Sequence, residues 1–69
     1  MATHNEIWKN PRGATFGQWR ITVKHGEKEH VQYVWADAQG VRISISDIHI
    51  HNKLCGCDTE TEVEYLRAE

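Results

Sequence analysis

Two histidines and two cysteines lie close together in one short stretch and are the residues of this chain best suited to metal binding. The stretch is DIHIHNKLCGC, residues 47–57, and it contains His49, His51, Cys55 and Cys57. Imidazole and thiolate are the ligands that zinc prefers, and four of them complete a tetrahedral site. If the stretch begins as a strand, His49 and His51 share one face because side chains repeat every second residue. These four residues are therefore a candidate zinc site.

Two other interpretations of the stretch remain open. Structural zinc sites usually separate paired cysteines by two or more residues, whereas one residue lies between Cys55 and Cys57. Such close cysteines could instead form a strained, oxidising disulfide. In the third interpretation the histidines are a solvated strand face, the cysteines lie in a loop, and no metal is bound. We favour this third interpretation and expect no cofactor, with zinc as the alternative.

Catalysis is not expected from this chain. It has no Gly-x-Ser-x-Gly, phosphate-binding loop or His-Glu-x-x-His pattern. A cysteine of this stretch with His49 could act as a nucleophile and base, but a chain of 69 residues buries only about 60% of its unfolded surface and has little material for a deep pocket. The sequence predicts a protein that is not an enzyme.

Composition and charge indicate one small globular domain spanning residues 1–69, with residues 1–6 frayed. Apolar residues make up 39% and charged residues 26%, and the formal net charge is −2. This balance argues against a nonspecific binder of nucleic acid or of a membrane surface, which needs a basic excess. The polar N-terminus, the lack of a long apolar run and the two cysteines predict a cytoplasmic protein without membrane contact.

Alternating apolar residues predict three strands joined by short turns. The turns are expected at residues 26–29 and 37–40, where glycine and acidic residues cluster. A strand buried on one face alternates apolar and polar residues. The apolar positions expected in the core are Trp19, Ile21, Val23, Val31, Tyr33, Trp35, Val41, Ile43 and Ile45. The pattern predicts an antiparallel meander.

The alternation changes phase after Ile45, because the next apolar residues are Ile48 and Ile50. A β-bulge or a corner between sheets would restore the phase. Residues 59–68 fit either a strand or a short helix, and their β-branched and aromatic residues at period two favour the strand. We therefore predict an all-β fold of four to five strands, as a small barrel or curled sheet. The alternative is an α+β fold with a short C-terminal helix.

Basic residues opposite the expected core face form a candidate partner-binding surface. They are Arg20, Lys24 and Arg42, with Trp8 as the aromatic residue most free to be exposed. The expected function is a small non-enzymatic protein-binding or regulatory module, comparable in size to phage or mobile-element inhibitors of host proteins. The alternative is a zinc-stabilised domain that binds nucleic acid. A thin core and unpaired strand edges also predict a homodimer.

Overall fold

The computed structural model describes residues 4–10, 15–53 and 58–68, and these residues form four strands and one helix. In chain order the elements are β1 (His4–Lys9), β2 (Gly17–His25), β3 (Lys28–Ala36), α1 (Ala38–His51) and β4 (Thr59–Ala68). The strands form one mixed sheet, which is not closed into a barrel. The small β-rich fold predicted from the sequence is confirmed, but the prediction of a pure all-β meander is wrong, because a helix replaces the third strand.

The sheet has the strand order β1-β4-β2-β3. β1 runs parallel to β4, whereas β2 is antiparallel to both β4 and β3. The two central strands, β4 and β2, are thus contributed by distant parts of the chain. The strand interpretation of residues 59–68 is confirmed. β1 begins at His4, so residues 4–6, predicted to be frayed, belong to a strand.

The predicted hairpin of β2 and β3 is present and has a tighter turn than expected. His25 pairs with Lys28, so only Gly26 and Glu27 connect the strands. Gly26 has φ of 62°, in the left-handed region that glycine adopts without strain. Two-residue turns with glycine in this region match the twist of antiparallel strands. The turn length fixes the register of the whole hairpin.

The predicted turn at residues 37–40 is instead the start of α1. Asp37 is the N-cap, and its carboxylate accepts a hydrogen bond from the Gly40 backbone N–H at 2.8 Å. The Val41 backbone N–H then donates to the Asp37 carbonyl at 3.0 Å. A type I turn and the first turn of a helix use nearly the same backbone angles, and aspartate favours both. The local sequence therefore did not separate a turn from a helix.

The predicted strand at residues 41–46 and the bulge after it are also wrong, because both lie within α1. Val41, Ile45 and Ile48 are buried against the sheet, at the spacing i, i+4 and i+7 of one helix face. Ile43 and Ile50 lie on the opposite side and are 58% and 64% exposed. The change of phase after Ile45, which was interpreted as a bulge, reflects the helical spacing of these buried residues.

The core lies between α1 and one face of the sheet, which we call the covered face. Trp19 is fully buried at its centre, and its indole N–H donates to the Ala36 carbonyl at 2.8 Å. The rings of Trp8 and Tyr65 pack edge-on against it, with centroids 5.9 and 4.9 Å away. The buried apolar residues are Trp19, Ile21, Val23, Val41, Ile45, Ile48 and Val63.

The facing of β3 is opposite to the prediction. Trp19 pairs with Val34, so Val34 shares the covered face. Val31, Tyr33 and Trp35, expected in the core, point to the other side and are 48%, 56% and 48% exposed. Both strands alternate as predicted, but the two-residue turn sets the even-numbered residues of β3 opposite the odd-numbered residues of β2.

Candidate binding surface

The structure does not bring the two predicted histidine ligands together. His49 and His51 lie in α1, where residues two positions apart are about 200° apart around the axis. The prediction that they share a strand face is wrong. Cys55 and Cys57 lie outside the described residues. Within residues 4–10, 15–53 and 58–68, no group of three or more histidine, cysteine, aspartate or glutamate side chains is arranged to hold a metal ion.

His49 instead packs against β1, next to a histidine that the sequence analysis did not single out. The rings of His49 and His4 are 5.7 Å apart, and His4 Nδ1 lies 2.8 Å from Thr59 Oγ1. His49 Nε2 is buried and has no hydrogen-bond partner in the described structure. Burial lowers the pKa of His49, with the charge of His4 acting in the same direction and that of Glu6 opposing it.

Two of the predicted partner-binding residues lie on the helix side of the sheet. Trp8 is half-buried on β1, and the Arg42 guanidinium of α1 lies 5.4 Å from the centre of its ring, a cation–π distance. The Trp8 indole N–H donates to Glu6 Oε1 at 2.9 Å. The Trp8 ring thus contacts both Trp19 of the core and Arg42 of the helix.

The other two predicted residues, Arg20 and Lys24, lie on the opposite face of the sheet. We call this the open face, because no described element covers it. Arg20 forms a salt bridge with Glu64. Lys24 lies opposite Glu60 in the register of β2 and β4. The four predicted residues therefore divide into two pairs on opposite sides of the molecule and do not form one surface.

The open face carries a row of large apolar side chains along β3. Val31, Tyr33 and Trp35 follow one another at period two. The Arg67 guanidinium lies 5.4 Å from the centre of the Trp35 ring, and its Nε donates to Gln18 Oε1 at 3.2 Å. We call these three β3 side chains the apolar row.

The charges on the rest of the open face are mixed in sign, and salt bridges join Lys9 to Glu62 and Arg20 to Glu64. Lys9 Nζ lies 2.7 Å from Glu62 Oε1. Their hydrogen bond raises the pKa of Lys9 and lowers the pKa of Glu62. Both side chains are solvated, so the pair contributes little to stability. The basic and acidic side chains of this face are Lys9, Arg20, Lys24 and Arg67, and Glu29, Glu60, Glu62 and Glu64.

A shallow depression of about 340 Å³ separates the apolar row from the charges of β4. Val31 and Tyr33 form one wall of this depression, and Glu62 and Glu64 form the other. Arg20 lies between them on β2. This arrangement could not be predicted once the β3 aromatic residues were expected in the core. The signal that could have corrected their facing was the even number of residues in the expected turn at 26–29, because an even turn places the even-numbered residues of β3 opposite the odd-numbered residues of β2.

No known protein family, no curated protein and no solved structure shows a significant match to this chain. No helix among the residues described is long and apolar enough to span a bilayer.

Proposed function

We propose that this protein is a small, non-enzymatic cytoplasmic module that binds a partner protein through the open face of its sheet. The observation that carries the proposal is the apolar row, in which three large side chains lie about half exposed on a face that no described element covers. Single exposed apolar residues are ordinary, whereas adjoining ones mark interaction sites. A module of this size acts by occupying its partner's surface, as small inhibitors carried by phages and mobile elements do.

The composition of the open face supports a protein partner. Binding energy at protein interfaces concentrates in tryptophan, tyrosine and arginine near the centre of the contact, surrounded by polar residues. The open face has Trp35 and Tyr33 beside Arg20 and Arg67, with charged residues around them. The Arg67 guanidinium already lies over Trp35, so this part of the surface is ordered before a partner arrives.

The glutamates of β4 argue against nucleic acid as the main ligand. Glu60, Glu62 and Glu64 lie in a row beside the basic residues of β2. A phosphate backbone that approached Arg20 would also meet these carboxylates, and Arg20 is already paired with Glu64. The charge pattern favours a partner surface that itself has both signs of charge.

The test uses two double variants of matched chemistry. Tyr33→Ser with Trp35→Ser removes the aromatic part of the apolar row, and Ile43→Ser with Ile50→Ser removes two equally exposed apolar residues from α1. A partner is isolated with the unchanged protein, purified, and titrated against each variant by calorimetry. We expect Kd to rise about 30-fold or more for the β3 variant, as for interface residues worth about 2 kcal/mol or more.

We expect the α1 variant to bind as tightly as the unchanged protein. Equal losses for the two variants, or a loss confined to the α1 variant, would show that the open face is not the binding surface. Circular dichroism of both variants establishes that each is folded.

Nucleic-acid binding is the second candidate, and one observation favours it. Tyr33 and Trp35 lie on the same face as Arg20 and Lys24, which is the combination that single-stranded nucleic acids use for stacking and phosphate contact. Titration of tryptophan fluorescence with a single-stranded oligonucleotide tests this function. Salt-sensitive binding that Trp35→Ser abolishes would favour it over the protein partner.

A further inference from the structure

The outer edge of β3 is a long strand edge with few protective features. β3 ends the strand order, so one side pairs with β2, and no described strand pairs with its other side. The strand has nine residues, and its only acidic or basic side chains other than His30 are Lys28 and Glu29 at its start. Natural edges are usually short, charged, bulged or covered, since an unpaired edge is a template for another strand. The opposite edge strand, β1, has six residues and includes Glu6 and Lys9.

We propose that a second copy of this chain occupies the β3 edge, with the two β3 strands paired antiparallel about a two-fold axis perpendicular to the sheet. The pairing joins two four-stranded sheets into one of eight strands. A two-fold interface requires the same strand to be complementary to itself. The β3 sequence satisfies this requirement. The dimer does not depend on the proposed function, because it uses the strand edge and leaves the open face accessible.

The register follows from the strand itself. A two-fold axis perpendicular to the sheet keeps both open faces on the same side, so odd-numbered residues must pair with odd-numbered ones. All nine residues pair when the axis passes through Gln32, the midpoint of Lys28–Ala36. This register sets Val31 of each copy opposite Tyr33 of the other, a favourable cross-strand pair of β-branched and aromatic residues. It sets Glu29 opposite Trp35, so that no like charges face each other.

The position of α1 is compatible with this pairing. α1 packs on β2 and β3, and its Arg42 and His49 side chains reach Trp8 and His4 of β1, so the helix extends toward the β1 side of the sheet. Gln32, on the covered face of β3, is exposed, so α1 does not cover the middle of this strand. Gly40 approaches β3 so closely that an added Cβ would lie 2.8 Å from the Ala36 Cβ. This contact holds the start of α1 at the Ala36 end of β3, four residues from Gln32.

The dimer also extends the candidate binding surface. The two apolar rows become neighbours across the two-fold axis and form one symmetric patch on the open side of the eight-stranded sheet. A partner with two equivalent sites would bind this patch with higher avidity than it binds one copy.

The experiment places like charges at the two-fold axis. Gln32 is exposed and, in this register, faces Gln32 of the second copy. We expect the unchanged protein to have twice the chain mass of 8.0 kDa by light scattering and sedimentation at high micromolar concentration. Gln32→Glu and Gln32→Lys should each raise the dissociation constant at least tenfold. An equimolar mixture of the two variants should restore a dimer that contains one of each.

Asn5→Glu is the matched control, because it adds the same charge to an exposed position of the other edge strand. We expect it to leave the dimer unchanged, and circular dichroism establishes that every variant is folded. A mass of 8.0 kDa for the unchanged protein up to millimolar concentration would overturn the proposal. So would dimers that persist in both Gln32 variants, or dissociation by Asn5→Glu alone, which would assign the contact to β1. The binding test with the Tyr33→Ser, Trp35→Ser variant stays valid with each of these results, because the open face is accessible in the monomer as well.

Discussion

Both faces of the sheet carry large apolar residues, but α1 covers only one of the two faces. On the covered face Trp19, the central residue of the core, has no exposed surface, whereas on the open face Trp35 is 48% exposed. The two tryptophans lie on neighbouring strands of one hairpin. Trp19 has polar neighbours in sequence, whereas Trp35 lies between Val34 and Ala36, which face the helix side of the sheet. The difference arises from the register of the hairpin, not from hydrophobicity. The apolar row, which no described element covers, is the observation on which the proposed binding function rests.

The strongest test of this contrast compares the two tryptophans. Trp19→Ala should lower the free energy of unfolding by about 3–5 kcal/mol, because it removes the largest buried side chain and leaves a cavity. A loss of that size is most of the stability of a small domain. Trp35→Ala should change the free energy of unfolding by less than about 1 kcal/mol, since its ring is half in water already. Urea denaturation of both variants measures these changes, at a concentration where each is monomeric. A larger loss for Trp35→Ala would reverse the assignment of the two faces.

The sequence predicted the strand pattern well where local signals agree. The hairpin of β2 and β3 and the strand at residues 59–68 followed from period-two alternation, and Trp19, Ile21 and Val23 are core residues as expected. What could not be predicted was the side of β3 that faces the core. Alternation defines two faces but does not say which is buried when both contain apolar residues. A turn with an even number of residues pairs the odd-numbered residues of β2 with the even-numbered residues of β3, whereas a three-residue turn from Gly26 would reverse this facing.

The helix was missed for a related reason. Val41, Ile43 and Ile45 alternate as in a strand, and β-branched residues favour strands. The same segment also contains Val41, Ile45 and Ile48 at helical spacing, and packing against the sheet selected this second pattern. The candidate zinc site depended on the strand interpretation, so the relation between His49 and His51 changed with it. Tertiary packing decided between two local patterns that the sequence supports about equally.

The two sides of α1 allow a second, smaller test of which pattern governs this segment. Ile45 is 6% exposed and Ile43 is 58% exposed, although a strand would place both on one face. Ile45→Ala should lower the free energy of unfolding by about 2–4 kcal/mol. Ile43→Ala, which substitutes a better helix former at an exposed position, should change it by less than about 0.5 kcal/mol. Similar losses measured by urea denaturation would indicate a strand over these residues.

The smallest expected effect concerns the side of α1 that faces β1. Folding lowers the pKa of His49 from its ordinary value of 6.5, mainly through burial. Below that pH the unfolded chain therefore binds more protons at this position than the folded protein does. The His49 contribution to stability is fully present above about pH 6.5 and is lost as the pH falls through the lowered pKa. The melting temperature should consequently decrease between about pH 7.5 and pH 5.5.

A substitution isolates the part of this decrease that is due to His49. His49→Leu fills a similar volume and removes the buried Nε2 that has no hydrogen-bond partner among the described residues. It should flatten the pH dependence of the melting temperature and leave the protein at least as stable at neutral pH. His51→Gln, two residues further along α1 and exposed, should keep the pH dependence of the unchanged protein. If His51→Gln flattened the profile and His49→Leu did not, the helix would be rotated relative to β1 from the arrangement in which His49 packs against His4.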